Sequence, residues 1–364
     1  MDKTQTLARS KAIIVNICLL IISLAVTLLL AEFVIRALGI QKIVRLNPDI
    51  YKISENPIIS YELRPNYKGE TYGVAVQTNS AGMLGREYSR QKPPDTIRIA
   101  LVGDSVVFGI GVGMEDNTAS SLERVLNQTS SAKKYEVLNF GVPSYNTEQE
   151  REVVKSKVLG FEPDLILLVF VSNDLDPTLR LNERNYFTTD DELQAGQLPR
   201  AETYDNTPGI KKWLDRNSCL YRFLRVRYDN LARLVGIRPP LVDEPDPRYA
   251  GATEESKQLW AKGQYNLLEI KRLADSIGAQ FVIIEWQHNQ ALQGEATRIL
   301  RQFCQQNEIP FLDLAPILID RPGGYAQLSL GWDSHPSKRG HEIIADTIAE
   351  FLQDNKLLGA ASRE

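Results

Sequence analysis

The 364-residue chain is poor in the residues that build metal and disulfide scaffolds, with three cysteines (Cys18, Cys219 and Cys304) and three histidines. Three scattered cysteines make neither a disulfide framework nor a metal cluster. Cys304 falls on an apolar stripe with Ile299, Leu300 and Phe303, which suits buried packing. Whether Cys219 and Cys304 pair in an oxidising compartment stays open at the level of sequence. An excess of one charge is also lacking: 42 Lys and Arg against 46 Asp and Glu leave a net charge of -4. That balance offers no electrostatic footprint for a nucleic-acid partner. The glycine-rich turn Gly109–Gly113 lacks the third glycine of a dinucleotide fingerprint, because residue 114 is Met. No acidic residue ends the next strand to hold a ribose.

Residues 12–31, AIIVNICLLIISLAVTLLLA, lack any charge. A run of that length spans a hydrocarbon core as a helix. A cleaved signal peptide is the competing reading, but its apolar region is shorter and its cleavage site prefers small residues. Here Leu29, Leu30 and Ala31 run straight into Glu32. The expectation is a single-pass anchor over 12–31, preceded by a cytoplasmic N-terminus over 1–11. Lys3, Arg9 and Lys11 before the span balance Arg36, Lys42 and Arg45 after it, so charge does not set its orientation.

Residues 32–95 form a mixed membrane-proximal segment with Pro48, Pro57, Pro65 and Gly69 and no long amphipathic helix. From residue 96 to 355 the pattern becomes alternating strands and helices, followed by a tail over 356–364. IRIALVGDS (Ile97–Ser105), YEVLNFG (Tyr135–Gly141), PDLILLVFVSND (Pro163–Asp174), AQFVIIEW (Ala279–Trp286) and IPFLDL (Ile309–Leu314) read as five strands. Asn117 offers an N-cap to a helix with Ala119, Leu122, Val125 and Leu126 on one face, and Thr147 with Glu150 makes a capping-box pattern for the next. A last helix is expected to start near Ser337.

This alternation predicts an α/β fold: a flavodoxin-like three-layer α/β/α domain around a five-stranded parallel sheet, with the Pro163–Asp174 strand central. An insertion over about 176–250 interrupts it. There Leu220, Phe223, Leu224, Leu231 and Leu234 oppose Arg222, Arg225 and Arg233. That segment reads as a surface helix of a subdomain, with a lid or a helix apposed to anionic lipid as alternatives.

In a parallel sheet, ligands gather beyond the carboxyl ends of the strands. The rule singles out Gly103–Ser105, Gly141 and Ser172–Asp174. Ser105 is a candidate nucleophile if a base lies within reach; otherwise it is a turn serine or a cap. His335, in the loop before the last helix, is the candidate base; a lone loop histidine is otherwise a surface residue. Asp333, two residues earlier, is placed to orient its ring. The Ser105 and Gly141 N–H groups and the Asn173 side-chain amide are candidate oxyanion donors. Each is weak evidence alone; their joint placement at three strand ends is what points to acyl transfer.

Four blocks carry a family resemblance: VGDSVVFGIGV (Val102–Val112), NFGVPSYNT (Asn139–Thr147), VSNDLDP (Val171–Pro177) and WDSHPSKRGHEIIAD (Trp332–Asp346). In this order they resemble the SGNH, or GDSL-type, hydrolases, and TNSAGMLGREYSRQKPP (Thr78–Pro94) is similar to the lead-in of membrane-anchored bacterial members. The resemblance implies catalytic Ser105, His335 and Asp333, and an oxyanion hole of Ser105, Gly141 and Asn173, with no cofactor and no metal. It also implies an esterase working outside the cytoplasm, in a bacterial envelope, on an acyl-ester partner that is a glycan or lipid. O-acyl transfer to polysaccharide and a non-catalytic glycan- or partner-binding role are the alternatives. Val106 and Val171 depart from the family's leucine and glycine, and Asp333 precedes His335 by two residues instead of three. That shorter spacing resembles the branch acting on polysaccharide O-acetyl groups. The Gly-x-Ser-x-Gly elbow of the α/β-hydrolases is missing, since Val107 holds its last position.

Overall fold

The computed structural model describes residues 3–40, 46–129, 133–181, 187–189, 209–235, 250–286, 294–319, 328–330 and 335–358. The chain divides into two compact units, one of residues 1–45 with 205–240 and one of residues 46–204 with 241–364.

In the first unit, helix α1 (Lys3–Ala37) contains a 27-residue stretch, Lys11–Ala37, long and apolar enough to cross a membrane. The second unit begins with two antiparallel pairs, β1 (Tyr51–Ile53) with β2 (Tyr61–Leu63) and β3 (Lys68–Thr71) with β4 (Val74–Gln77). Strand β5 (Thr96–Gly103) leads into the short helix α2 (Ser105–Phe108), then α3 (Thr118–Thr129), β6 (Lys134–Gly141), α4 (Thr147–Ser156) and β7 (Leu165–Phe170). A small pair, β8 (Leu179–Leu181) and β9 (Phe187–Thr189), follows.

From the inserted region the first unit takes α5 (Gly209–Asn217) and α6 (Cys219–Leu234). The second unit resumes with α7 (Glu254–Ser276), β10 (Gln280–Glu285), α8 (Glu295–Gln306), β11 (Phe311–Asp313), α9 (Ala315–Ile319) and α10 (Lys338–Asp354).

The main sheet has the order β11-β10-β7-β5-β6, and every pair in it is parallel. Numbered along the sheet-forming chain that is 2-1-3-4-5 read from the β6 edge, the flavodoxin-like winding, with β7 at the centre as its unbroken apolar run requires. One face packs Ile99, Leu101, Val137 and Leu167 against Leu122 and Leu126 of α3 and Ile344, Ile348 and Leu352 of α10. The other packs Leu138, Ile166, Leu168 and Ile283 against Val153 and Val154 of α4, Leu267 and Ile270 of α7 and Leu300 of α8. Three layers result, with the sheet buried on both faces.

A charged pair sits inside the sheet at register partners Arg98 and Glu136. The Arg98 guanidinium donates to Glu136 Oε2 at 3.0 and 2.7 Å and to the Arg90 and Phe161 carbonyls. Four hydrogen bonds, two of them to a carboxylate, offset the desolvation of this 0% exposed arginine.

One sequence expectation shifts, and one open question closes. The capping box of α4 is Asn146 with Gln149: Asn146 Oδ1 accepts from the Glu148 and Gln149 N–H groups, and Gln149 Oε1 accepts from the Asn146 N–H. Asn146 outcompetes Thr147 because its Nδ2 also donates to the Asp176 carbonyl and the Thr178 hydroxyl. Glu150 is thereby turned into the interior. Cys219 and Cys304 are free thiols, and burial pushes the Cys304 thiol up to about 12.

Candidate functional site

The winding reverses direction between β5 and β7, so their carboxyl ends open a crevice at the switch point. Ser105 begins α2 directly after β5. Asp104 caps this helix, its Oδ1 accepting from the Val106 N–H at 2.9 Å, and Gly109, at φ 84°, ends it after one turn. As the first residue of α2, Ser105 has an N–H with no intrahelical acceptor. The helix start therefore points a hydroxyl and a backbone donor towards the same crevice.

His335 comes from the approach to α10. Ser337 caps that helix through the Gly340 N–H at 3.2 Å, and the Ser337 N–H and hydroxyl both donate to the Leu328 carbonyl. The Leu330 N–H donates to the His335 carbonyl at 2.8 Å. These bonds fix the half-buried imidazole with Nε2 at 2.7 Å from Ser105 Oγ, across 230 residues of sequence. Asp333 and Trp332 lie outside the described residues, as does His288.

Ser105 Oγ has a second neighbour, Asp104 Oδ2 at 3.0 Å, and Asn173 Nδ2 donates to the same oxygen at 3.1 Å. A hydroxyl carries one proton, so it donates either to His335 Nε2 or to Asp104. When it donates to Asp104, the contact with His335 must be an Nε2–H donated to Ser105. Asp104 thus does more than brace the turn: it gathers the serine and the asparagine around one buried carboxylate oxygen.

Asn173 follows β7 in a 3-10 turn (Ser172–Leu175), and its Oδ1 is buried without a protein partner. Gly141 ends β6, but its N–H is engaged, donating to Asn139 Oδ1 at 2.9 Å. Asn139 Nδ2 in turn donates to the Val107 carbonyl at 2.8 Å, so one amide ties the end of β6 to α2. A Cβ on Gly141 would lie 2.3 Å from the Phe108 nitrogen and 2.6 Å from the Val107 carbonyl carbon. The position therefore needs glycine for close packing beneath Ser105, whatever its N–H does.

Sequence reasoning gave the groups behind the site no part in it. Glu150 and Asp174 are buried, and both Glu150 oxygens and Asp174 Oδ1 have no protein hydrogen-bond partner. Burial raises both carboxyls well above the ordinary range. The Asp104 charge adds to this at Glu150, and the Glu150 and then Asp104 charges add to it at Asp174. Burial therefore favours the protonated form of both carboxyls. His341, on α10, is buried with Nδ1 2.7 Å from the Thr118 hydroxyl. Burial first and the neighbouring His335 second push it down to about 3, so it is neutral. Among the described residues no group of three or more His, Cys, Asp or Glu side chains forms a metal site.

A family model described as GDSL-like lipase/acylhydrolase matches residues 99–348. No curated protein is significantly similar in sequence. Among solved structures, the chain is similar to a lipase/acylhydrolase from Enterococcus faecalis, at 13% identity and a TM-score of 0.42, covering 71% of this chain and 96% of that one. It is similar to a psychrotrophic esterase from Pseudoalteromonas sp. at 10% identity and a TM-score of 0.40, covering 71% and 98%. A two-domain esterase active on acetylated mannans gives 12% identity and a TM-score of 0.42, covering 74% of this chain and 51% of that one.

Proposed function

The chain belongs to the GDSL-like lipase/acylhydrolase family and is an ester hydrolase, and on that premise we propose that it is a membrane-anchored deacylase with Ser105 as nucleophile and His335 as base. The observation that carries the assignment is the 2.7 Å contact between Ser105 Oγ and His335 Nε2 at the switch point of the sheet. His335 Nε2 takes the hydroxyl proton as Ser105 Oγ attacks the ester carbonyl. The oxyanion is met by the Ser105 N–H and the Asn173 amide, which turns from Asp104 towards the new charge. Gly141 joins them only by releasing Asn139. His335 then gives its proton to the departing alkoxide, and the acyl group stays on Ser105. Water, deprotonated by His335, attacks the acyl-enzyme, and His335 returns that proton to Ser105 Oγ as the carboxylic acid leaves. Asp333 is assigned to hold the imidazole tautomer and offset its charge.

The anchor reading rests on α1. Its helix continues unbroken past the apolar run to Ala37, and Glu32 and Arg36 hydrogen-bond to residues 217–220 of the inserted region. A leader ending near Ala31 would have to be cut in mid-helix, which favours retention. The body is assigned to the extracytoplasmic side, in a bacterial envelope.

The proposed substrate class is acetyl esters of an envelope or secreted glycan, with acyl lipid second; the two-residue spacing of Asp333 and His335 is what supports it. The test uses the full chain in detergent with acetylated polysaccharide and with nitrophenyl esters of increasing acyl length. Ser105-dependent release of free acetate, falling as the acyl chain lengthens, is expected. Faster turnover of long chains would overturn the acetyl assignment, and acetyl appearing on a glycan acceptor without free acetate would make the enzyme a transferase.

A further inference from the structure

Residues 209–235 hold seven Lys and Arg against two Asp, in a chain whose net charge is -4. On α6 and the residue after it, Leu224, Tyr228, Leu231 and Val235 are 54–58% exposed. Their spacing of 4, 3 and 4 puts them within about 60° of each other on a helix turning ~100° per residue. Arg225 and Arg227 are exposed on either side of this stripe, and Arg227 lies over the Phe223 ring at 3.4 Å. On α5, Ile210 and Trp213 are likewise exposed, at 68% and 58%.

What fixes the occupant of this face is the attachment of α6 to α1. Glu32, the first charged residue after the apolar run, accepts from the Cys219 N–H at 2.9 Å, the Leu220 N–H at 2.8 Å and the Ser218 hydroxyl at 2.8 Å. Arg36 donates to Glu32 and to the Asn217 carbonyl, both at 2.5 Å. The start of α6 is therefore capped by a side chain of the span at the level where its apolar stretch ends. A helix starting there, apolar along one stripe and basic on both flanks, matches the boundary between acyl chains and anionic headgroups. A second copy of the same face would set arginines against arginines.

We propose that α6 lies in the interfacial layer of the bilayer that α1 crosses, with Leu224, Tyr228, Leu231 and Val235 in the acyl boundary and Arg225 and Arg227 against anionic lipid headgroups. The proposal rests on α1 being a retained span, which the test checks separately. The full chain is reconstituted in nanodiscs of phosphatidylcholine with roughly one-third phosphatidylglycerol. A benzophenone-bearing phenylalanine replaces, one at a time, Tyr228, Leu231, Arg222 on the opposite face of α6, and Leu24 inside the span; adducts are read by mass spectrometry. Tyr228 and Leu231 are both 58% exposed, so the larger side chain has room at either position. Lipid adducts at 228 and 231, several times those at 222 and falling severalfold without phosphatidylglycerol, are expected. Lipid adducts at Leu24 but none at 228 and 231, or adducts there to protein, would overturn the interfacial placement alone. Indifference to phosphatidylglycerol would overturn the role of the arginines, and no lipid adduct at Leu24 would overturn the span as well.

Discussion

Replacing Gly141 with alanine separates two roles that this position can play. Alanine keeps the N–H, so a residue needed only as a hydrogen-bond donor would tolerate the change. The added Cβ, however, meets backbone, 2.3 Å from the Phe108 nitrogen and 2.6 Å from the Val107 carbonyl carbon, and meets Val107 Cβ at 2.8 Å. No side-chain rotation relieves contacts with backbone, so α2 must move away from β6. Overpacking of this kind costs about 1–3 kcal/mol, and rigid neighbours put Gly141→Ala at the upper end. For a domain of ~200 residues, ~3 kcal/mol lowers Tm by roughly 6–12 °C. Because α2 begins with Ser105, the same shift moves Oγ relative to His335 Nε2, and a misplacement of ~1 Å costs on the order of 10²-fold in rate. Calorimetry and the rate of serine modification, measured on the same preparation, test both halves. A Gly141→Ala protein with the parent Tm and the parent rate would refute the packing account.

Asn173→Ala removes one oxyanion donor and should lower kcat about 10²–10³-fold with little change in KM, as steady-state kinetics would show. Glu150→Gln keeps the shape of a carboxyl that burial pushes well above its ordinary value of 4.5. Its stabilising neutral form is fully present below pH 4.5 and is lost as pH rises towards the folded value, because the unfolded chain ionises first. The parent should therefore lose Tm more steeply than Glu150→Gln as the pH rises above 4.5, and parallel profiles would contradict the burial argument. His341 runs the other way: lowered from 6.5 to about 3, it stabilises the fold above pH 6.5, and that contribution disappears as the pH falls towards 3. Thr118→Val leaves the His341 imidazole without its 2.7 Å partner and should cost about 1–3 kcal/mol, read from denaturant midpoints.

The parts of this molecule legible in its sequence are those that local pattern governs. The runs ending at Gly103, Gly141 and Phe170 are apolar stretches closed by turns, and each is a strand. The central place of β7 followed from its being apolar without interruption, as a strand covered on both faces must be. Ser105, Asn173 and His335 could be placed near one another because parallel winding carries strand ends to one edge. What escaped was decided by contacts distant in sequence. Asn146 took the cap from Thr147 through Asp176 and Thr178, about 30 residues away. Glu150 then became a buried acid, which no helical periodicity reveals. The packing role of Gly141 was hidden because it depends on how β6 lies beside β5. Thr118 and His341 meet only because α3 and α10 share one face of the sheet.

The central claim is that Ser105 is a hydroxyl activated by His335. Treating the full chain in detergent with a fluorophosphonate probe, beside Ser105→Ala and His335→Ala proteins of matched Tm, tests it most directly. The account predicts covalent labelling of the parent at Ser105, none of Ser105→Ala, and labelling of His335→Ala slowed by at least about 10³-fold. Equal labelling of the parent and His335→Ala, or modification at another serine, would contradict it.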